Sequence, residues 1–166
     1  MQVTRTYLEL TSPGRLAAAG EPPAGARVEH IHECPPSFYR YLYAEVGREW
    51  RWVDRLAWDD GQIRAHLSQP SVTLWALWLH GAPAGWFELK GGDDGSVEIA
   101  YFGILPEFRR RGLGKHLLTA AVERAWSSGA RRIWLHTCTL DDPAALPNYR
   151  ARGFTPYKEE VYTVDP

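Results

Sequence analysis

Leu113, Leu117, Ala121 and Ala125 recur every four residues, with Leu118, Val122 and Trp126 beside them. A stripe at that spacing covers one face of an α-helix, and Gly129 stands where a C-terminal cap glycine belongs, so residues 112–128 are predicted to be helical. Elsewhere the period is two. Residues 3–10 alternate weakly and predict a first strand; "ARVEHIHEC" alternates again until Pro35-Pro36-Ser37 ends it. Phe38 to Val46 carries helical spacing, and Asp59-Asp60 are N-cap candidates for a second helix ending near Ser68-Gln69-Pro70. "SVTLWALWLH", "AGWFELK" and "VEIAYFGIL", separated by Gly81-Ala82-Pro83 and by "GGDDGS", predict a three-stranded antiparallel meander. After the long helix, "RRIWLHTCT" reads as a buried strand. Asp142-Pro143 reads as an N-cap with proline at the first helical position of a helix over residues 143–152, closed by Gly153, and "FTPYKEEVYTV" as a last strand interrupted at Pro156.

Seven strand segments and four helices in 166 residues with 45% apolar content imply one α/β domain over residues 1–166, with "SPGRLAAAGEPPAG" as a loop inside it. A formal net charge of -1 excludes the global basic field that gathers nucleic acid or anionic membrane. Cys34 and Cys138 are the only cysteines, too few for a disulfide framework, which fits a reducing, cytoplasmic setting. "MQVTRTYLEL" lacks the apolar core of a signal peptide, and no run approaches the ~20 apolar residues of a membrane span.

The chemistry concentrates in "PEFRRRGLGKHLL". A strand that ends at Pro106, with a helix beginning at Gly112, lets loop N–H groups and the unpaired N–H groups of the first helical turn converge on an anion. Gly112 and Gly114, with Leu113 between them, leave those amides approachable, and Arg109, Arg110, Arg111 and Lys115 add charge around the same point. It is not a nucleotide P-loop, and Leu117 stands where a dinucleotide fingerprint needs its third glycine. Gly103 inside the preceding strand predicts a bulge that frees backbone groups near Ile104 and Leu105 for an extended ligand.

Arg109-x-x-Gly112-x-Gly114 after a strand ending in proline resembles the acyl-CoA motif of the GNAT superfamily of N-acetyltransferases. Its second signature, Asn-x-x-Ala-x-x-x-Tyr-x-x-x-Gly-Phe, is matched in phase by Ala145, Tyr149, Gly153 and Phe154, with Asp142 in place of the asparagine and Asn148 at a place usually apolar. The resemblance spans roughly residues 70–164. It implies a mixed, mostly antiparallel sheet flanked by helices, and transfer of an acetyl group from acetyl-CoA to a primary amine by direct attack through a tetrahedral intermediate. Ile104 and Leu105 would hold the pantetheine arm, Arg109 to Lys115 the pyrophosphate, and Asp142 and Asn148 would lie near the arm. Tyr149 would be the general acid and Glu98 the base, with Glu88 competing for that role. A base is useful because an amine of pKa near ~10.4 is neutral in only about one molecule in a few thousand at pH 7.

His30, His32 and Cys34 would share one strand face, yet no fourth ligand is indicated and two prolines follow, so no metal is expected. His136 is a polar acceptor-site candidate or a satisfied buried histidine. Trp50, Trp52 and Trp58 either wall an acceptor pocket or belong to the core. The partners implied are acetyl-CoA and an amine on a small molecule or a protein; a homodimer stays open. Two rival readings are a non-catalytic acyl-CoA-binding sensor and an RNA-binding module using the arginine cluster, the latter opposed by the neutral overall charge.

Overall fold

All seven period-two segments enter one sheet. The computed structural model describes residues 1–166 and places strands at β1 (Gln2–Leu10), β2 (Ala26–Ile31), β3 (Val72–Leu79), β4 (Ala82–Gly91), β5 (Ser96–Ile104), β6 (Arg132–Cys138) and β7 (Thr155–Thr163). The helices are α1 (Pro36–Gly47), α2 (Asp60–Leu67), α3 (Leu113–Ser127) and α4 (Ala145–Ala151). Sheet order is β2-β3-β4-β5-β6-β1-β7, and every neighbouring pair is antiparallel except β5 with β6. The mixed, mostly antiparallel α/β architecture expected from the sequence is the one observed. No helix is long and apolar enough to cross a membrane.

The place of β1 was not legible. It lies between β6 and β7, so the first residues of the chain are an interior strand, with Met1 donating its ammonium to the Val164 carbonyl at 2.7 Å. Local boundaries also move. β2 stops at Ile31, short of Cys34, and α1 begins at Pro36, where a missing N–H costs nothing in the first turn. The turn between β3 and β4 is His80-Gly81, both at positive φ, so Ala82 and Pro83 belong to β4. Asp142 accepts from the Ala144 N–H at 2.9 Å and α4 starts only at Ala145. Pro156 does not interrupt β7; it sits near the start of an edge strand, opposite a register shift at Tyr7/Leu8.

Two apolar layers form. One face of the sheet packs under α3 and α4 through Leu8, Leu10, Phe87, Ile133, Leu117 and Phe154. The opposite face packs under α1 and α2 through Tyr39, Leu42, Tyr43, Val46, Trp86 and Leu105. That second layer covers β3 to β5, with Ile31 of β2 at its margin. The same face of β6 and β1 carries Trp134, His136 and Tyr7, and their aromatic rings pack on one another there.

Leu8 is 0% exposed on interior β1, whereas Val161 on edge strand β7 is 59% exposed. Leu8→Ala is expected to lower unfolding free energy by about 2–5 kcal/mol and Val161→Ala by less than ~0.5 kcal/mol, read by denaturant titration. Equal effects would contradict the interior position of β1.

Candidate active site

The parallel ladder between β5 and β6 has three pairs, Ser96↔Arg132, Val97↔Ile133 and Glu98↔Trp134. Past them the strands part, although β5 continues to Ile104 and β6 to Cys138. The bulge begins where they part: Glu88 pairs with Tyr101 and Leu89 with Ile99, so Ala100 is the extra residue. The expected bulge at Gly103 is therefore corrected. Gly103 pairs regularly with Trp86, and its missing side chain instead lets α1 approach, since a Cβ there would lie 2.3 Å from Val46 Cγ1.

The Leu105 N–H donates to the Ala84 carbonyl at 2.8 Å. Across a trans peptide the Ile104 carbonyl must point the other way, into the splay, and alternation brings the N–H and C=O of Phe102 and Ile104 to that edge. Leu105 is 1% exposed with its N–H committed, so its expected role on an extended ligand is corrected in favour of Phe102. Strand parity, once the bulge is located, is the signal that would have found it.

Gly112 is the N-cap of α3 at φ +74, a left-handed conformation that glycine adopts without strain. A Cβ on Gly114 would meet only Asn148 Nδ2, at 3.6 Å, so the first turn of α3 is open and Asn148 stands at its rim. Leu113 is buried beneath that turn. Arg110, Arg111 and Lys115 are exposed, and Arg111 rests over the Phe108 ring at 5.2 Å. Arg109 behaves differently. Its Nη1 donates to Glu49 Oε2 at 2.8 Å, its Nη2 to the Val46 carbonyl and its Nε to the Ile104 carbonyl, both at 3.4 Å, and its guanidinium lies over Trp50 at 4.9 Å. The expectation of four equivalent charges on a pyrophosphate is thus modified: Arg109 ties the loop to the C-terminal end of α1, and three cations remain. Open glycines, first-turn N–H groups and those cations form a donor set that fits the pyrophosphate of acetyl-CoA.

Tyr149 on α4 is 6% exposed and edge-on to Phe102 and Phe154 at 6.1 and 6.2 Å, which sets its ring against the splayed half of β5 on the α3 face. Burial, reinforced by Asp141 and Asp142, pushes its phenol above the usual range, so it stays protonated at neutral pH. The neighbours of Glu98, Val97 and Ile99, pack into the α3 layer, so Glu98 faces the opposite side. It borders a cleft of about 500 Å³ with Tyr7, Lys90, Asp94, Arg132, Trp134 and Tyr157. Burial raises its carboxyl, with Lys90 pulling the other way.

Asp142 uses its side chain on the turn before α4. Asp141, which sequence reasoning passed over, accepts from the Thr137 hydroxyl at 2.7 Å and the Cys138 N–H at 2.8 Å, fixing the end of β6 beside the splay. His136 is exposed with its ring 5.5 Å from Tyr7. Trp52 packs with Tyr101 at 5.0 Å and Trp58 with His66 at 5.2 Å, both against the α1/α2 layer. His30 and His32 rings lie 3.9 Å apart, but His30 stacks on Trp75, and no group of three metal-ligating side chains forms. Glu88, which competed with Glu98 for the role of base, is 0% exposed and paired with Arg55.

A model of the acetyltransferase (GNAT) family matches residues 29–154. The chain belongs to that family. It is 30% identical over 179 residues to a mycothiol acetyltransferase of Corynebacterium aurimucosum, an alignment covering 93% of this chain and 58% of the relative. A GCN5-related N-acetyltransferase from Kribbella flavida superposes with a TM-score of 0.67 at 24% identity, over 92% of this chain and 54% of that one. An aminoglycoside acetyltransferase from an uncultured soil sample, solved with sisomicin, gives 0.69 at 16% identity, over 86% and 96%. The chain thus spans little more than half the length of the first two. Family membership implies acyl transfer from acetyl-CoA.

Replacing Gly112 by valine puts a β-branched side chain at φ +74 and fills the approach to the first turn of α3. The variant is expected to stay folded and to lose most of the rise in Tm that CoA produces in the wild type. A rise as large as the wild type's would remove the loop from CoA binding.

Proposed function

We propose that the protein transfers the acetyl group of acetyl-CoA to the primary amine of a small polar molecule. The observation that carries this reading is the placement of Tyr149 and Glu98 on opposite faces of the sheet, both beside one splay. Acetyl-CoA supplies an activated acetyl thioester. Its pyrophosphate would lie at Gly112, Gly114, Arg110, Arg111 and Lys115, and its arm along the free edge of Phe102 and Ile104, with Asn148 alongside.

The amine approaches from the other face, where a cleft lies over the paired ends of β5 and β6 with Glu98 at the last pair before the splay. As its nitrogen bonds to the acetyl carbon, Glu98 accepts the proton it sheds, directly or through water, and a carboxyl raised by burial is the stronger base once ionised. As the carbon–sulfur bond breaks, the Tyr149 phenol donates its proton to the sulfur. Its raised pKa keeps it protonated at neutral pH, so it holds a proton to give. A cleft alternating aromatic rings with charges of both signs supports a small polar amine. So do the names of two relatives, one a mycothiol and the other an aminoglycoside acetyltransferase.

The test is release of free CoA thiol across a panel of aminoglycosides including sisomicin, amino sugars, polyamines and lysine peptides. Turnover confined to the small polar amines is expected. Tight CoA binding with no release from any amine would instead describe a protein that binds acyl-CoA without using it.

Tyr149→Phe keeps the ring against Phe102 and removes only the hydroxyl. Single-turnover acetyl transfer should fall by roughly 10²-fold with acetyl-CoA affinity nearly unchanged, since general acids contribute on that order. Wild-type rates across the pH range would take Tyr149 out of the chemistry.

A further inference from the structure

The segment between α1 and α2, residues 48–59, is held from beneath by a carboxylate with no exposed surface. Glu88 on β4 is 0% exposed, and its Oε1 accepts from the Tyr39 hydroxyl at 2.9 Å and from Arg55 Nη1 at 2.8 Å. Its Oε2 accepts from the same Nη1 at 3.0 Å and lies 3.1 Å from His66 Nε2. Arg55 is the partner that comes from the segment. Its side chain is 13% exposed, it also donates to the Tyr39 hydroxyl, and its guanidinium rests over the Trp58 ring at 4.8 Å and the Tyr101 ring at 4.5 Å. Its backbone N–H donates to the Tyr43 hydroxyl at 3.2 Å. One residue thereby joins the segment to α1, β4 and β5, and through Glu88 to His66 of α2.

A buried ion pair is a weak source of net stability, because desolvation offsets most of its attraction, so its presence calls for another reason. Position supplies one. Tyr101 lies on β5 just past the last paired residue, where the splay opens. Trp52 of the segment packs edge-on against Tyr101, with ring centroids 5.0 Å apart. Farther along, Arg51 Nη1 reaches the Asp165 carbonyl at 3.3 Å, and Glu49 takes the Arg109 guanidinium. The segment therefore runs across the splay on the face opposite α3.

We propose that Glu88 is a positioning residue: through Arg55 it holds residues 48–59 across the splay as a wall of the acceptor site. This rests on the acceptor approaching from that face, as proposed above. It also accounts for the unsuitability of Glu88 as the base. Burial works to raise its carboxyl, but the His66 hydrogen bond and the Arg55 guanidinium outweigh burial and hold it below the ordinary range, and both oxygens already have partners.

Glu88→Gln keeps the shape and removes the charge. Trypsin cleavage after Arg51 is expected to quicken by about tenfold, because cleavage tracks the population of the opened segment. With the amine returned by the screen, KM for that amine should rise by about tenfold while kcat changes less and CoA affinity stays within about twofold. Arg55→Lys, which keeps the charge and loses the planar guanidinium that rests over the Trp58 and Tyr101 rings, should move the same quantities in the same direction by less, and it serves if the glutamine variant does not fold. Unchanged cleavage overturns the proposal, as does a parallel loss of CoA affinity. A collapse of kcat with amine KM unchanged does so too, and would make Glu88 the base. If no amine reacts with the wild type, the functional reading fails, and the cleavage rate still decides whether the pair holds the segment.

Discussion

Two strands that run in parallel for only three residue pairs and then part are the constraint on which the site depends. Backbone N–H and C=O groups inside a sheet are ordinarily spent on the neighbouring strand, and leaving them unpaired is costly unless water or a ligand takes them. Separation of β5 from β6 leaves the edge of Phe102 and Ile104 without a strand partner, only the Ile104 carbonyl being met, by Arg109 Nε, at the point where the chain turns into α3 and presents a second set of unspent N–H groups. Extended backbone and helix terminus thus offer donors to the two ends of one long ligand. The parting also gives the sheet a passage between faces. Without it, Tyr149 and Glu98 would be separated by a continuous ladder, and no single reaction could use both.

Such a gap needs support on each side. β5 is held by its ladder to β4 and by the Ala100 bulge, which turns the strand without breaking its pairing at Tyr101 and Gly103. β6 is held by β1, whose six pairs run from Leu10↔Ile133 to Arg5↔Cys138 and so extend past the point where β6 has lost β5. The interior position of β1 thereby acquires a functional consequence. It keeps the free half of β6 a strand, and Asp141 fixes the end of that strand by accepting from Thr137 and Cys138.

Much of this was legible in the sequence, and what escaped it follows a physical rule. The seven strands and four helices announce themselves through local periodicity, and the glycine loop through residue types that crowd into the seven positions from Arg109 to Lys115. Tyr149 was singled out by the resemblance of its helix to the second GNAT signature. Partnerships between distant segments were not legible. Nothing near Gln2–Leu10 says which strands it will join, because an alternating strand pairs equally well with many edges. Nothing near Glu88 says that Arg55 will meet it, since the pairing is made by tertiary packing. Leu105 was misjudged for a subtler reason. Which of two adjacent residues turns its N–H outward depends on the exact site of a bulge, and a glycine at 103 pointed to the wrong one.

The three consecutive arginines show how such a rule operates within one motif. Read as charge alone, Arg109, Arg110 and Arg111 are interchangeable, but the backbone separates their roles. Arg110 sits at φ +61 and Gly112 at φ +74, both in left-handed backbone. Arg110 and Arg111 are exposed at the rim, while Arg109 reaches the Val46 carbonyl at the C-terminal end of α1, where exposed carbonyls favour a cation. By bonding Glu49 and stacking on Trp50, Arg109 links the loop that would carry the pyrophosphate to the segment lying across the acceptor face. Arg109 braces the loop from beneath, at a position where a count of positive charges would have found only another phosphate contact.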